Sequence, residues 1–263
     1  MLNKLLKYDL KYVYKTLIVF YILDFVFALL TRGIRLFENS SLMQFVAFIM
    51  NIVTIVSFIA TIIINIMKLW SRFVNNIYKD ESYLTHTLPV TEKDIYISKF
   101  LSSILTITTS VIAIILSLFI IYYSQDFIEL LKTSLDGLAN AYDSTVISII
   151  IVLFVVFLLE LISVVVEGYT GILLGHRSGD HKMIKSIVIG FLFFVGTSIL
   201  IIAVILLAGL FVKDIMDLFV TLAPPNVKTI KNLLLVAIVI YSLAITFYFI
   251  FDIHILKKGV NVD

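Results

Sequence analysis

Long apolar segments alternate with short polar ones along the whole chain. Each apolar segment reaches or approaches the roughly 20 residues that a helix needs to cross a bilayer. The six segments cover about residues 16–31, 42–67, 100–123, 144–169, 187–212 and 232–251. The pattern therefore predicts an all-α integral membrane protein, with one transmembrane domain of six helices over residues 1–263.

The polar segments carry helical patterns as well. In residues 1–15 the leucines and Val13 share one face and four lysines can meet lipid headgroups, which predicts an amphipathic helix at the membrane interface. The apolar spacing of the second span continues to Ile77, so its helix should extend beyond the bilayer. Residues 124–143 predict a helix on the membrane surface, and residues 213–231 a short amphipathic or re-entrant piece that a Pro-Pro pair ends.

Composition supports the membrane assignment and narrows the function. Hydrophobic residues make up 61% of the chain and charged residues 14%, against about a quarter in soluble domains. The mean hydropathy is +1.10. The absence of cysteine excludes disulfides and thiolate chemistry. The net charge of +2 is too small to indicate nucleic acid as a partner.

Basic residues predict the orientation of the chain. Six spans place both termini on one side, and the segments on that side hold fourteen of the twenty lysines and arginines. Positively charged loops stay in the cytoplasm, so both termini are expected to be cytoplasmic. Lysines interrupt the N-terminal segment and no cleavage site follows it, so the first span is expected to be retained.

The longest polar run, residues 80–94, lies between the second and third spans. Pro89 disfavours a helix at Leu88, while Thr91 with Asp94 has the pattern of an N-terminal helix cap. The predicted geometry is a helix, a compact turn and a second helix that leads directly into the third span. On the residues alone, the run is equally compatible with a solvated connector.

The run YKDESYLTHTLPVTEKDIYISK, residues 78–99, resembles the loop after the second span in permease subunits of type 2 ABC exporters from Firmicutes. Those loops carry an acidic and aromatic DE-x-YLT-x-TLPV run followed by SK. The basic N-terminal segment, the six spans and the His-Arg stretch in GILLGHRSGDHKMIKS are similar to that group as well. The resemblance covers the whole chain in layout but only one segment in sequence detail.

This resemblance implies that the loop of about residues 70–98 holds a coupling helix, which docks into a cleft of a separate ABC ATPase subunit. That subunit would bind ATP and Mg, because this chain has no P-loop, and no cofactor of its own is expected. A second permease subunit, identical or paralogous, would complete the complex in a bacterial cell membrane. The implied ATPase contacts in the loop are Asp80, Glu81, Tyr83, Leu84, Thr85, His86, Leu88, Pro89, Glu92 and Asp94.

A second polar turn contains His176, Arg177 and His181. A metal site is disfavoured here, because two histidines without a third ligand nearby do not make one. The simplest interpretation is a positively charged membrane anchor. A secondary contact of His176 and Arg177 with the ATPase subunit is the functional interpretation.

Three acidic residues, Asp24, Glu160 and Glu167, lie inside predicted spans. A charge at the bilayer centre costs at least about 2.5–3.5 kcal/mol, so such groups usually face protein or water. Glu167 lies close to the cytoplasmic boundary and is most simply interfacial. Asp24 and Glu160 lie deeper and can pair with polar groups on neighbouring helices, line a substrate path or titrate. Structural pairing is the favoured interpretation.

Together these patterns favour a permease subunit that moves a hydrophobic or peptidic substrate out of the cell and is not itself an enzyme. The alternative is a stand-alone membrane immunity or sensory protein without transport activity. An intramembrane enzyme ranks last, because the sequence contains no catalytic motif that would support one.

Overall fold

The computed structural model describes residues 1–37, 40–79, 81–87, 89–141, 145–177, 180–213, 215–216 and 227–259. Every regular element within these ranges is helical. The helices with defined bounds are α1 (Leu2–Arg35), α2 (Ser41–Ile77), α3 (Ser82–Thr87), α4 (Glu92–Tyr122), α5 (Gln125–Ala141), α6 (Val146–Gly175), α7 (Lys182–Phe211) and α8 (Val227–Lys257). All of them except α3 and α5 are long and apolar enough to cross a membrane. The predicted all-α, multi-pass architecture is therefore confirmed.

The chain forms two compact units. In the first, within Met1–Phe127, α1 packs along both α2 and α4. In the second, within Ile128–Lys258, α6 packs along both α7 and α8.

The predicted amphipathic segment and the first span are one continuous helix, α1. Its buried residues recur at helical spacing along almost its whole length, and the four lysines of residues 1–15 are exposed. That buried stripe consists of Asp9, Val13, Leu17, Asp24, Ala28 and Thr31. The face of the N-terminal segment that bears Val13 therefore packs inside the unit. Its location at a membrane interface stays a prediction.

The helical extension of α2 as far as Ile77 is confirmed. Phe73 and Ile77 are fully or almost fully buried there, and the Phe73 ring meets the Tyr96 ring of α4 edge-on at 6.3 Å. The predicted start of α4 is also confirmed. Thr91 Oγ1 accepts a hydrogen bond from the Asp94 backbone N–H at 3.2 Å, which caps the new helix.

Glycines bring α6 and α7 into direct backbone contact in the second unit. A Cβ added at Gly171 would lie 2.6 Å from Cα of Gly190, and one at Gly175 would overlap the backbone nitrogen of Ser186. Small residues allow such close approach of membrane helices, where dispersion contacts supply the attraction. These two positions therefore require glycine.

Two predictions concern the remaining segments. The helix predicted over residues 124–143 is α5, although its place on a membrane surface stays a prediction. Most of residues 213–231, including the Pro-Pro pair, lies outside the described residues.

Replacement of Gly171 by alanine is expected to separate α6 from α7, because the added methyl group meets backbone atoms that cannot rotate away. We expect the free energy of unfolding to fall by about 1–3 kcal/mol. The matched control is Gly196→Ala on α7, where a Cβ meets nothing within 4 Å. That variant should be as stable as the wild type or slightly more so, because alanine favours the helix. Thermal unfolding of the two purified variants, followed by circular dichroism, tests the pair, and equal stability would contradict the packing argument.

Candidate functional site

A buried group of charged side chains joins α1, α2 and α4 next to the α2–α4 connection. The carboxylate of Asp9 lies at its centre and is only 2% exposed. It accepts hydrogen bonds from Arg72 Nε at 3.0 Å, Lys99 Nζ at 2.5 Å and Ser98 Oγ at 2.6 Å. Charged side chains are rarely buried unless they are paired, and here each donor comes from α2 or α4.

Glu81 extends this group into the loop that follows α2. Its Oε2 accepts hydrogen bonds from Arg72 Nη1 and from Asn76 Nδ2, each at 2.6 Å. Lys99 Nζ also donates to Asn76 Oδ1, so Asn76 connects Lys99 to Glu81. The Glu81 side chain is 43% exposed, so the network reaches the surface at this residue. We call Asp9, Arg72, Asn76, Glu81, Ser98 and Lys99 the Asp9 network.

The formal charges within the Asp9 network balance. Asp9 and Glu81 supply two negative charges, and Arg72 and Lys99 supply two positive ones. The Arg72 guanidinium also lies 4.9 Å from the centre of the Tyr12 ring, a favourable cation–π arrangement. Removing one member of a buried ion pair leaves the other charge buried without a partner. The resulting loss of folding stability is larger than the net stabilisation that the pair provides.

Local structure explains why these residues meet. Arg72 and Asn76 are four residues apart and therefore share one face of α2. Beyond the end of α2, the Glu81 N–H donates to the Asn75 carbonyl at 3.2 Å, which folds the chain back over the helix. This reversal brings the Glu81 carboxylate to the face that bears Arg72.

The loop itself contains α3, a helix of 6 residues. The Tyr83 side chain on α3 is 77% exposed, whereas Ser82 beside it is buried. Pro89 and Glu92 are exposed as well. Of the other predicted contact residues, Asp80 and Leu88 lie outside the described residues, as do the side chains of Leu84, Thr85 and His86.

His176 is buried at the end of α6, with 2% of its surface exposed. Its Nδ1 lies 3.0 Å from the Ile172 carbonyl oxygen and 3.2 Å from Ser186 Oγ of α7. Arg177 is exposed and donates from Nη2 to the Ile255 carbonyl at 3.0 Å. Contact of this turn with a partner stays a prediction. Of the two predicted contact residues, Arg177 is accessible, whereas the His176 ring is buried.

The intramembrane acids have different surroundings. Asp24 is fully buried and accepts hydrogen bonds from Ser57 Oγ at 2.5 Å and Thr61 Oγ1 at 2.7 Å, both on α2. This is the pairing with a neighbouring helix that we favoured. Glu167 is buried and accepts a hydrogen bond from a serine on its own helix, whereas Glu160 is exposed.

The sequence did not predict the Asp9 network. Glu81 was expected to contact the ATPase subunit, and no pairing was predicted for Asp9, Arg72 or Lys99. One feature of the sequence could have indicated that Asp9 is paired. Asp9 is the first acidic residue of the chain, and Asp24 is the next. It lies on the helix face that Leu5 and Val13 share, so a carboxylate there needs a cation from another helix.

No protein-family model, curated protein or solved structure matches the chain. Fold and site define a multi-pass α-helical membrane protein in which buried charges join α1, α2 and α4, and Glu81 of the α2–α4 connection pairs with Arg72 of α2.

Replacement of Asp9 by asparagine leaves Arg72 and Lys99 facing the single carboxylate of Glu81. We expect the free energy of unfolding to fall by about 3–5 kcal/mol, the usual cost of breaking a buried ion pair. The double variant Asp9→Asn with Lys99→Met restores charge balance and should recover part of that loss. Unfolding by SDS in mixed micelles measures both.

The control for this experiment is Asp136→Asn, which removes one exposed carboxylate from α5 and should leave stability within about 0.5 kcal/mol of the wild type. A double variant no more stable than Asp9→Asn alone would contradict the charge-balance argument.

Proposed function

We propose that the chain is the transmembrane permease subunit of an ATP-driven ABC export complex in a bacterial cell membrane, with both termini cytoplasmic. The observation that carries the proposal is the exposed Tyr83 on α3, a short helix placed between two spanning helices. The loop that bears it is joined to α2 by the 2.6 Å ion pair between Glu81 and Arg72. The resemblance of residues 78–99 to exporter coupling loops supports the same assignment.

A partner that pushes on α3 would move more than the loop. The α2 and α4 helices run from this connection along the length of two spans. Arg72 belongs to α2, Lys99 to α4, and both bind Asp9 of α1. A displacement of α3 is therefore passed to three helices through paired charges and rigid helical backbone, the kind of contiguous element that a two-state transporter needs.

Energy for transport would come from the ATPase subunit, which would hold ATP and Mg. Closure of two such subunits would shift the population of the permease between two states, provided that they bind those states differently. A second permease subunit, identical or paralogous, would complete the pathway. A hydrophobic or peptidic substrate is the class that we propose.

The test has two parts: whether an adjacent reading frame encodes a P-loop ATPase, and whether that ATPase co-purifies with the chain. Tyr83→Asp places a charge on the exposed ring position of α3, and we expect it to abolish co-purification while leaving membrane insertion intact. The matched control is Tyr123→Asp, which changes another exposed tyrosine, just beyond the opposite end of α4. That variant should retain the ATPase.

Failure of the wild-type chain to retain any such ATPase would contradict the proposal and favour the stand-alone immunity or sensory function. Equal co-purification of Tyr83→Asp and the wild type would contradict the assignment of α3 as the docking element.

A further inference from the structure

The second unit contains a polar cavity of about 70 Å³ among α6, α7 and α8. Its floor is made of buried Ser163, Glu167 and Thr197, and its mouth of exposed Glu160 and Phe194. Counted as the space open to the centre of a water-sized sphere, as for this cavity, a single water molecule needs about 10–15 Å³. The cavity therefore has room for a group larger than one water molecule.

The Glu167 carboxylate at the floor is incompletely satisfied. Its Oε1 accepts a hydrogen bond from Ser163 Oγ at 3.0 Å, whereas Oε2 has no hydrogen-bond partner among the described residues. The Thr197 hydroxyl is close to the carboxylate and is also hydrogen-bonded to Tyr248 Oη at 2.8 Å, where either oxygen can be the donor. Glu167 is only 2% exposed. Because a buried oxygen without a donor is costly, this arrangement favours a donor from outside the described residues.

The lining decides which donor fits. Its polar groups are carboxylate and hydroxyl oxygens, which suit a cation: Glu160, Ser163, Glu167, Thr197, Ser198 and Tyr241. Ca²⁺ needs six to eight oxygen ligands, and Mg²⁺ keeps several waters of its own. The described residues contain no cluster of three or more acidic or histidine side chains that could hold a metal ion.

The remaining wall is apolar and aromatic, with Val164, Ile201 and Phe194 alongside the Tyr241 ring. Aromatic faces attract organic cations, and apolar walls accept an alkyl chain. The mouth opens on the exposed surface of helices that are apolar enough to span a membrane. A molecule with its hydrocarbon tail in the bilayer can therefore present a charged head group to this cavity.

We propose that this cavity binds the ammonium group of an amphiphilic amine, with Glu167 as its buried hydrogen-bond acceptor and Glu160 as the carboxylate at its mouth. The proposal depends on the placement of α6 to α8 in a membrane. It does not depend on the export function or on an ATPase partner.

The probe is radiolabelled n-octylammonium, added to the purified chain in phosphatidylcholine nanodiscs. We expect saturable binding that unlabelled n-octylammonium displaces and n-octanol, which has the same chain without the charge, does not. Glu167→Gln should weaken binding by about tenfold or more, since it removes the charged acceptor. Glu160→Gln should weaken binding by a smaller factor.

The control is Glu129→Gln, which removes one exposed carboxylate from α5 outside the cavity and should leave the affinity unchanged. Glu160 is exposed, so its variant should fold even if Glu167→Gln does not assemble. Absence of saturable binding to the wild type would overturn the proposal, as would displacement by n-octanol or unchanged affinity in Glu160→Gln. Displacement by sodium ions at concentrations similar to the probe would assign the cavity to a metal cation instead.

Because no ATPase is present in this assay, its result is separate from the co-purification experiment. A chain that binds n-octylammonium but retains no ATPase would keep the cavity assignment and lose the export function. The reverse outcome would keep the export function and remove the cavity assignment.

Discussion

The buried carboxylate of Asp9 pairs with two cations from two other helices, and the positions of three helix ends follow from that arrangement. Apolar residues could fill the same space at similar or lower cost, because desolvation offsets most of the attraction in a buried ion pair. Paired charges tolerate far fewer geometries than an apolar contact does. The network therefore fixes the register of α1, α2 and α4, and through Glu81 it fixes the start of the loop that carries Tyr83.

Farther along the helices of the first unit, hydrogen bonds between neutral hydroxyl and amide groups hold α1, α2 and α4 in the same alignment. Thr31 and Thr54 are hydrogen-bonded at 2.8 Å, and Ser110 bonds both Tyr21 and Asn65 at 2.8 Å. Such bonds contribute about 0.6 kcal/mol each between membrane helices, so they add specificity more than stability. The second unit joins α6 to α7 by a different means, the direct backbone contact at its glycines. In both units the helices are matched by small or polar side chains, because bilayer lipid offers no hydrophobic preference for one apolar contact over another.

Much of the fold could be predicted from the sequence, because the six apolar segments and the Thr91 cap depend on residues close together in the chain. The continuation of α2 to Ile77 was readable for the same reason. The Asp9 network could not be predicted, because the partners of Asp9 are 63 and 90 residues away in the chain. Each lysine and arginine also suits a membrane interface. His176 was assigned to a surface by its basic neighbours, whereas its ring is buried against Ser186. Asp24 was easier to interpret, since a carboxylate in an apolar segment requires a polar partner, although the sequence could not specify Ser57 and Thr61.

Hydrogen exchange measured by mass spectrometry, comparing the wild type with Asp9→Asn, tests the central claim most directly. If the Asp9 network ties the three helix ends and the loop together, exchange should increase concurrently in α1 near Asp9, in the last turns of α2, in residues 81–87 and in the first turns of α4. The middle of each span should remain protected, as should α6. An increase confined to the α1 segment, with residues 81–87 unchanged, would show that Asp9 does not hold the loop and would contradict the account.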